Sequence, residues 1–391
     1  GEAMAFEGLN ESGRIDLALE IGGQTFRVLT CDVAEALSEC GQVSAEVETF
    51  EDTDFEPLLE SDASVVITID GLEVRRFTRK LGRASFVGLE ENSLHYRLEL
   101  FPAFWFLRLG MNTRKFRDLT TEEIVSTILE EGGVAHEWRN SRKCESRPYC
   151  TQYRETHLAF VSRLLEYEGI YYYFEDDGTM VLADDSRAEP RVAGLGIYQL
   201  HDTDGAMDHG RLGVTTFARG VTLAPGRATV NDHNFKTPAV SLLSAAPGPR
   251  DADLDVYDYP TGFRDPGVGA MLAKLRMEAL TATKKHAEGT SSVPWFMPAR
   301  RFTFDHGEAI DFSGDWLLLR VSHRFTSANV ANERGAYENR FFAIPADVPF
   351  RPLLKTPRPI VQGNHTAMVR GPVGEEIHTD RFGRAKVQFH W

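Results

Sequence analysis

The sequence predicts a mainly β protein with embedded helices, a β-rich α+β class. Three observations carry that expectation. Apolar and polar residues alternate with period two in many short runs, Gly, Asp and Pro punctuate those runs, and apolar residues fall at helical spacing in only a few stretches.

In chain order, Val65-Val-Ile-Thr-Ile-Asp-Gly71 is β-branched up to an Asp-Gly turn and Glu73–Thr78 follows it, which predicts a hairpin. His95–Leu100 alternates again. Phe101 to Leu109 then concentrates four aromatics, a density that marks core or a domain seam. Thr120-Thr-Glu-Glu123 is a capping box, with Leu119 and Ile124 placed to close a hydrophobic staple. Ile124, Val125, Ile128 and Leu129 make one apolar face, and Gly132 is placed to end that helix. A second helix starts near Thr156, carries Leu158, Val161, Leu164 and Leu165 inward, and stops at Gly169. Ile170–Phe174, the Asp176-Asp-Gly178 turn and Met180–Leu182 then predict a hairpin. A third helix is expected over 267–286, with Leu272, Leu275 and Leu280 apolar.

A chain of 391 residues suggests two to four domains at roughly 100–200 residues each. Hydrophobic content of 42% and charged content of 26% fit an ordinary globular protein. No apolar run approaches the roughly 20 residues of a membrane helix, and no segment reads as a signal peptide. The four cysteines, Cys31, Cys40, Cys144 and Cys150, have neither zinc spacing nor the density of a disulfide framework, so they read as reduced structural thiols. A net charge of −15 argues against nucleic acid as a partner. Acids crowd 46–62 (Glu46, Glu48, Glu51, Asp52, Asp54, Glu56, Glu60, Asp62), and a basic run follows at Arg75, Arg76, Arg79, Lys80 and Arg83. Each reads as a solvated face, or alternatively as complementary subunit surfaces.

No G-x-S-x-G, H-E-x-x-H or G-x-x-x-x-G-K-[ST] occurs in the chain. Gly267-Val-Gly269 opens a helix but lacks a third glycine, so a glycine-rich helix start explains it better than a nucleotide site. His201-Asp-Thr-Asp204 with Asp208 and His209 has metal-ligand chemistry, yet sits in a polar, glycine-bearing stretch that reads as a surface loop. Asp251, Asp253 and Asp255 alternate along an expected strand and lack the glycine turn and terminal Glu of a calcium loop. No catalytic, cofactor or metal site is expected. Paired carboxylates for glycoside hydrolysis leave no trace in sequence, so a cell-wall hydrolase remains the alternative of a different class.

Four blocks carry a family resemblance. The first is Tyr153-Arg-Glu155 leading into Phe160, Leu164, Leu165, Glu168, Gly169, Tyr171, Tyr172 and Tyr173. The second is Tyr257-Asp258-Tyr259-Pro260. The third is looser: Arg301-Phe-Thr-Phe304, His306, then Trp316–His323, with Gly307 where proline is usual. The fourth runs from Tyr337–Pro345 through Pro349-Phe350-Arg351-Pro352 and Thr356-Pro-Arg-Pro359 to Gly383-Arg384-Ala-Lys386-Val387-Gln-Phe389-His-Trp391. In that order, from about residue 65 to 391, they resemble the hub and spike junction of VgrG proteins of type VI secretion, relatives of contractile phage tail hubs.

The resemblance implies tandem antiparallel β-barrel hub domains followed by a truncated oligonucleotide/oligosaccharide-binding (OB-type) barrel. Expected boundaries are 1–115 for the first barrel region, 116–195 for a helix-hairpin α/β segment and 196–355 for the second barrel region. A stretch rich in Pro (Pro345, Pro349, Pro352, Pro357 and Pro359) stiffens the passage onward, and the Pro-rich linker with the opening strands of the next barrel occupies 356–391. Ala385, Val387, Phe389 and Trp391 would form one face of a half-buried strand. That strand is followed by no turn or partner, which suggests a chain cut early in its last domain; Gly1-Glu-Ala ahead of Met4 reads as a cloning remnant.

The resemblance also implies a homotrimer that joins a hexameric tube, the haemolysin-coregulated protein, to a spike. A proline-alanine-alanine-arginine tip protein and effectors would be carried beyond Trp391, with no small-molecule ligand. Such a protein is made in the bacterial cytoplasm and exported by the apparatus itself. A phage tail hub is the alternative within the same class.

Overall fold

In the computed structural model the described residues are 13–90, 92–194, 196–200, 212–248, 250–305, 313–330, 332–375 and 378–391. The alternating runs at the N-terminal end form β1 (Ile15–Ile21), β2 (Gln24–Ala36), β3 (Gln42–Thr49), β4 (Asp62–Ile69), β5 (Leu72–Glu90) and β6 (Ser93–Phe101). They pair antiparallel in the order β1-β4-β5-β6-β3-β2, and β2 pairs back to β1. The ring therefore closes into a six-stranded barrel, which removes the free edges an open sheet would expose. Leu19, Val28, Val65, Ile67, Phe77 and Leu98 fill it. At the expected Asp70-Gly71 turn both residues have positive φ, +51° and +81°, as a tight hairpin requires.

The aromatic cluster after β6 contains a single turn, α1 (Ala103–Phe106), with Phe104 fully buried. Then come β7 (Met111–Phe116), α2 (Thr121–Glu131), β8 (His136–Arg139), β9 (Cys150–Thr156), α3 (His157–Glu168), β10 (Tyr171–Phe174) and β11 (Met180–Ala183). The capping box forms as expected: the Thr120 hydroxyl accepts from the Glu123 amide, and the Glu123 carboxylate accepts from the Thr120 amide. The apolar faces of α2 and α3 pack together with Phe104, Tyr172 and Leu182.

A second ring follows. Its first strands are β12 (Ile197–Gln199) and β13 (Val214–Val221), and four more follow an insertion. The insertion holds β14 (Arg227–Val230), β15 (Ser244–Pro247), β16 (Asp255–Asp258) and α4 (Pro266–Thr281), with Leu272 and Phe263 in a small core of their own. The ring resumes with β17 (Lys285–Ser291), β18 (Arg301–Asp305), β19 (Gly314–Thr326) and β20 (Ala336–Pro345). Pairing runs β12-β18-β19-β20-β17-β13, and Leu200, directly after β12, bridges Val214 of β13. Phe302, Phe304, Trp316 and Phe341 fill this second barrel, where Phe217 stacks on Phe304 at 3.9 Å. The two barrels are fused through one ladder, Thr30–Ala36 of β2 against Arg320–Thr326 of β19.

Three expectations need correction. The third helix stops at Thr281, and residues 285–291 are strand; the Thr281 carbonyl accepts from the Lys284 amide to make the turn. Asp251 and Asp253 do not lie on a strand: Asp251 has φ +57° in a turn, and β16 begins only at Asp255. The C-terminal strand is shorter than its alternation suggested. Only Val387–Phe389 forms β22, because its partner β21 (Ala367–Val369) is equally short. Among the described residues no helix is long and apolar enough to cross a membrane.

Candidate functional site

The basic run on β5 is not a solvated face throughout. Arg75, Phe77, Arg79 and Leu81 share a face by strand parity, and all four are buried, whereas Arg76 and Lys80 point outward. Arg75 lies over the Phe77 ring at 4.2 Å and uses its whole guanidinium. It donates to Glu35 Oε2 at 2.8 Å on β2 and to Asp176 Oδ1 at 3.0 Å in the β10–β11 turn. It also donates to the carbonyls of Pro294 and Phe296, at 3.2 and 2.9 Å, and contacts His323 Nε2 at 3.0 Å on β19. One side chain thus ties the first barrel to the second and to the helix-hairpin segment.

The protonation pattern follows from the partners. Burial disfavours the Glu35 carboxylate, but the Arg75 guanidinium, with Arg79 behind it, outweighs that cost and holds its carboxyl at about 2. Burial, with Arg75 alongside, pushes the His323 imidazole below its ordinary value. A neutral ring fits the geometry. Tyr337 OH donates to the Val293 carbonyl at 3.1 Å, so it accepts from His323 Nδ1 at 2.8 Å, leaving Nε2 to accept from Arg75. This arrangement has donors and acceptors matched for rigidity, not a nucleophile beside a base.

Many of the family-motif residues fall in two clusters around α3. At its C-terminal end Glu168 accepts from Arg142 at 3.1 Å, Arg147 at 2.9 Å and Thr121 at 3.0 Å. Gly169 follows with φ +68°, the left-handed cap that stops the helix. Arg351 reaches this cap from the proline-rich segment: it donates to Gly169 O at 3.3 Å, to Asp184 O and to Glu278 at 2.9 Å. Phe350 donates its amide to Ser186 and packs edge-on against Tyr171, and Pro352 is buried beside them. Tyr171 and Tyr173 both donate to Glu189, at 2.6 and 3.0 Å. Glu166 accepts from the Lys355 and Thr356 amides at 3.0 and 2.9 Å, so the linker is strapped along the helix end.

At the other end of α3, Glu155 makes a two-pronged pair with Arg163 at 2.7 and 2.8 Å. Tyr153 meets His365 Nε2 at 3.2 Å and lies 6.1 Å from the Trp391 ring, which stacks on Phe389. Lys115 on β7 sits 5.6 Å from the Trp391 ring and 5.9 Å from the Phe389 ring. Arg154 is exposed, Gly383 has φ +74° in a turn, and Arg384 bonds Asp380 at 2.6 Å; Lys386 and Val387 are exposed. Phe160, Leu164, Leu165 and Tyr172 are core.

Tyr257, Tyr259 and Pro260 stand apart, exposed on the insertion, with Asp258 half-buried and a cis Tyr259–Pro260 bond. Arg358 reaches that loop at Thr261 O, 2.8 Å.

The metal and nucleotide candidates gain no support. His201, Asp202, Asp204, Asp208 and His209 lie outside the described residues, as do His306 and Gly307. Among the described residues no cluster of three or more His, Cys, Asp or Glu is placed to hold a metal ion. At Gly267 the amide a phosphate would need is taken by Asp265, at 2.7 Å, and a Cβ at Gly269 would strike Phe263 and Ser244. Sequence did not reveal Glu35, Asp176, Glu189 and His323 as partners of the buried arginines and tyrosines, because other segments supply them. The Arg75–Arg79 pair did leave a signal: two arginines on the same strand face as Phe77 and Leu81.

Residues 34–329 match the family of the phage tail baseplate hub (GPD). The chain is 35% identical over 319 residues to the type VI secretion system spike protein VgrG4b of Pseudomonas aeruginosa, covering 76% of this chain and 39% of that protein. It is 32% identical over 393 residues to VgrG5 of the same organism, covering 94% and 49%. The chain therefore spans half the length of these relatives or less. Among solved structures, the Escherichia coli c3393 protein superposes with a TM-score of 0.72 at 20% identity, over 95% of this chain and 89% of that one. That protein is described as a type VI secretion component similar to the T4 bacteriophage tail proteins gp27 and gp5.

Proposed function

We infer the function from one premise: this chain belongs to the phage tail baseplate hub family. Its relatives are spike proteins of type VI secretion, and its fold is that of the hub. We propose that three copies form a hub joining a hexameric tube to a membrane-piercing spike.

The observation that supports this reading best is the pair of closed six-stranded barrels fused through β2 and β19. Three chains with two like barrels each present six similar units, which lets a three-fold spike seat on a six-fold tube. The motif clusters at α3 would hold the proline-rich segment at a fixed angle to the barrels, as a part that transmits thrust requires. The tube partner would be a haemolysin-coregulated protein. The tip protein and effectors would bind outside residues 1–391, and export would proceed through the apparatus itself. No catalytic step is assigned; release of sugar or peptide from purified peptidoglycan by this chain would overturn that assignment. The family match equally accommodates a contractile phage baseplate, and gene neighbourhood separates the two.

The test is assembly. A solution mass near three times 43.8 kDa, and capping of stacked tube-protein rings in side-view electron micrographs, are expected. A trimer that never caps a ring would refute the hub reading.

A further inference from the structure

β5 is 19 residues long and outgrows its barrel. On one side it pairs with β4 only as far as Lys80, and the backbone of Leu81 bonds Glu60 and Ser61. On the other side it stays paired with β6 to Glu90. From Arg83 to Glu90 the first side faces no described strand, and the side chains there include Phe86, Val87 and Leu89, which are 58%, 40% and 64% exposed. A long, apolar, unpaired strand edge is the kind natural proteins blunt unless it has an occupant.

Beside this edge lies a groove of about 270 Å³ lined by Phe55, Leu59, Ala84, Phe86 and Tyr96. Phe86 stands edge-on to Tyr96, and Tyr96 to Phe55, so the floor is a row of aromatic rings. The rim is acidic. Asp54 and Glu56 line the groove, Asp52 accepts from the Tyr96 hydroxyl, and Glu51 and Glu60 flank them in sequence. All five are exposed, among the described residues none forms an ion pair, and Asp52 and Asp54 accept only uncharged donors. This is the same acid run that the sequence left open as either a solvated face or a contact surface.

We propose that the 83–90 edge of β5, with its aromatic groove and acidic rim, docks an extended basic segment of a partner polypeptide, which adds to the sheet as a further strand. Main-chain bonds along the edge supply affinity, alternate apolar side chains enter the groove, and Lys or Arg residues meet the unpaired carboxylates. A second copy is the weaker occupant, because a chain with net charge −15 brings mostly like charge to an acidic rim.

The probe is an alternating lysine–valine decapeptide, with an alternating glutamate–valine decapeptide as control, added to the 391-residue chain. Amide hydrogen exchange should show protection at 83–90 with the lysine peptide, and its affinity should exceed that of the control at least tenfold. Phe86→Ser, at an exposed position, should weaken binding about tenfold. Joint Glu51→Lys, Asp54→Lys and Glu56→Lys substitution should transfer the preference to the glutamate peptide. Because that result is a reversal, loss of folding cannot produce it. Protection elsewhere, or equal affinity for both peptides, overturns the proposal. Concentration-dependent association with 83–90 protected in the absence of peptide also overturns it, by assigning the edge to a second copy.

Discussion

Arg75→Met keeps most of the volume of the side-chain stem and removes every donor that Arg75 offers at the point where three segments meet. Asp176 is 37% exposed, so water can replace Arg75 there, and that contact should count for less than about 1 kcal/mol. Glu35 is different. Its side chain is 8% exposed, and after the substitution only Arg79, at 3.5 Å, remains as a cation beside it. Breaking one partner of a buried pair costs about 3–5 kcal/mol, and the Pro294 and Phe296 carbonyls lose their donor as well. Such terms are not additive, so a loss of about 4 kcal/mol is expected at neutral pH.

Urea unfolding followed by tryptophan fluorescence reads the loss, and its pH dependence identifies the source. The folded carboxyl of Glu35 sits at about 2, below the ordinary 4.5. Its stabilisation is therefore complete above the higher value and lost as pH falls toward the lower one. The variant lacks most of that term, so the gap between wild type and variant should narrow as pH falls through this window. A variant within about 1 kcal/mol of wild type at neutral pH, or a gap that does not narrow, would refute the reasoning.

Thr120→Ala removes the hydroxyl half of the α2 capping box and should cost about 1 kcal/mol, measured as a lower urea midpoint. Gly169→Ala places a side chain at φ +68°, with its Cβ 3.2 Å from Leu275 and 3.3 Å from Arg351; a loss of about 1–3 kcal/mol is expected. Arg351→Ala should loosen the proline-rich segment without unfolding the barrels, read as faster proteolysis near 352–360 with an unchanged main transition. Burial pushes Cys40 and Cys144 up to about 12 and raises Cys31 and Cys150. A thiol reagent at neutral pH should therefore modify the native chain slowly and all four cysteines once it is unfolded.

The local features were legible because short-range chemistry decides them. The capping box at Thr120, the Asp70-Gly71 turn, the Gly169 stop and the Tyr171–Ala183 hairpin each depend on a few adjacent residues. The third helix is expected too long because no Gly or Pro between Thr281 and Glu288 marks its end, while the pairing of 285–291 with β13 and β20 is a long-range preference that spacing does not encode. Strand parity on β5 already placed Arg75 and Arg79 with Phe77 and Leu81. It could not say what would neutralise them, since Glu35, Asp176 and His323 lie 40, 101 and 248 positions away.

The sequence by itself determined the β-rich class, the helix ends, the turns and the order of the motif blocks. Only the tertiary structure decided that six strands close on themselves twice, that β2 and β19 weld the two rings, and that an arginine run half turns inward. It also decided that β5 runs past its neighbour and leaves an edge free. Those outcomes depend on which distant backbone groups and charges meet, and a buried group is stable only with the partner that folding brings to it.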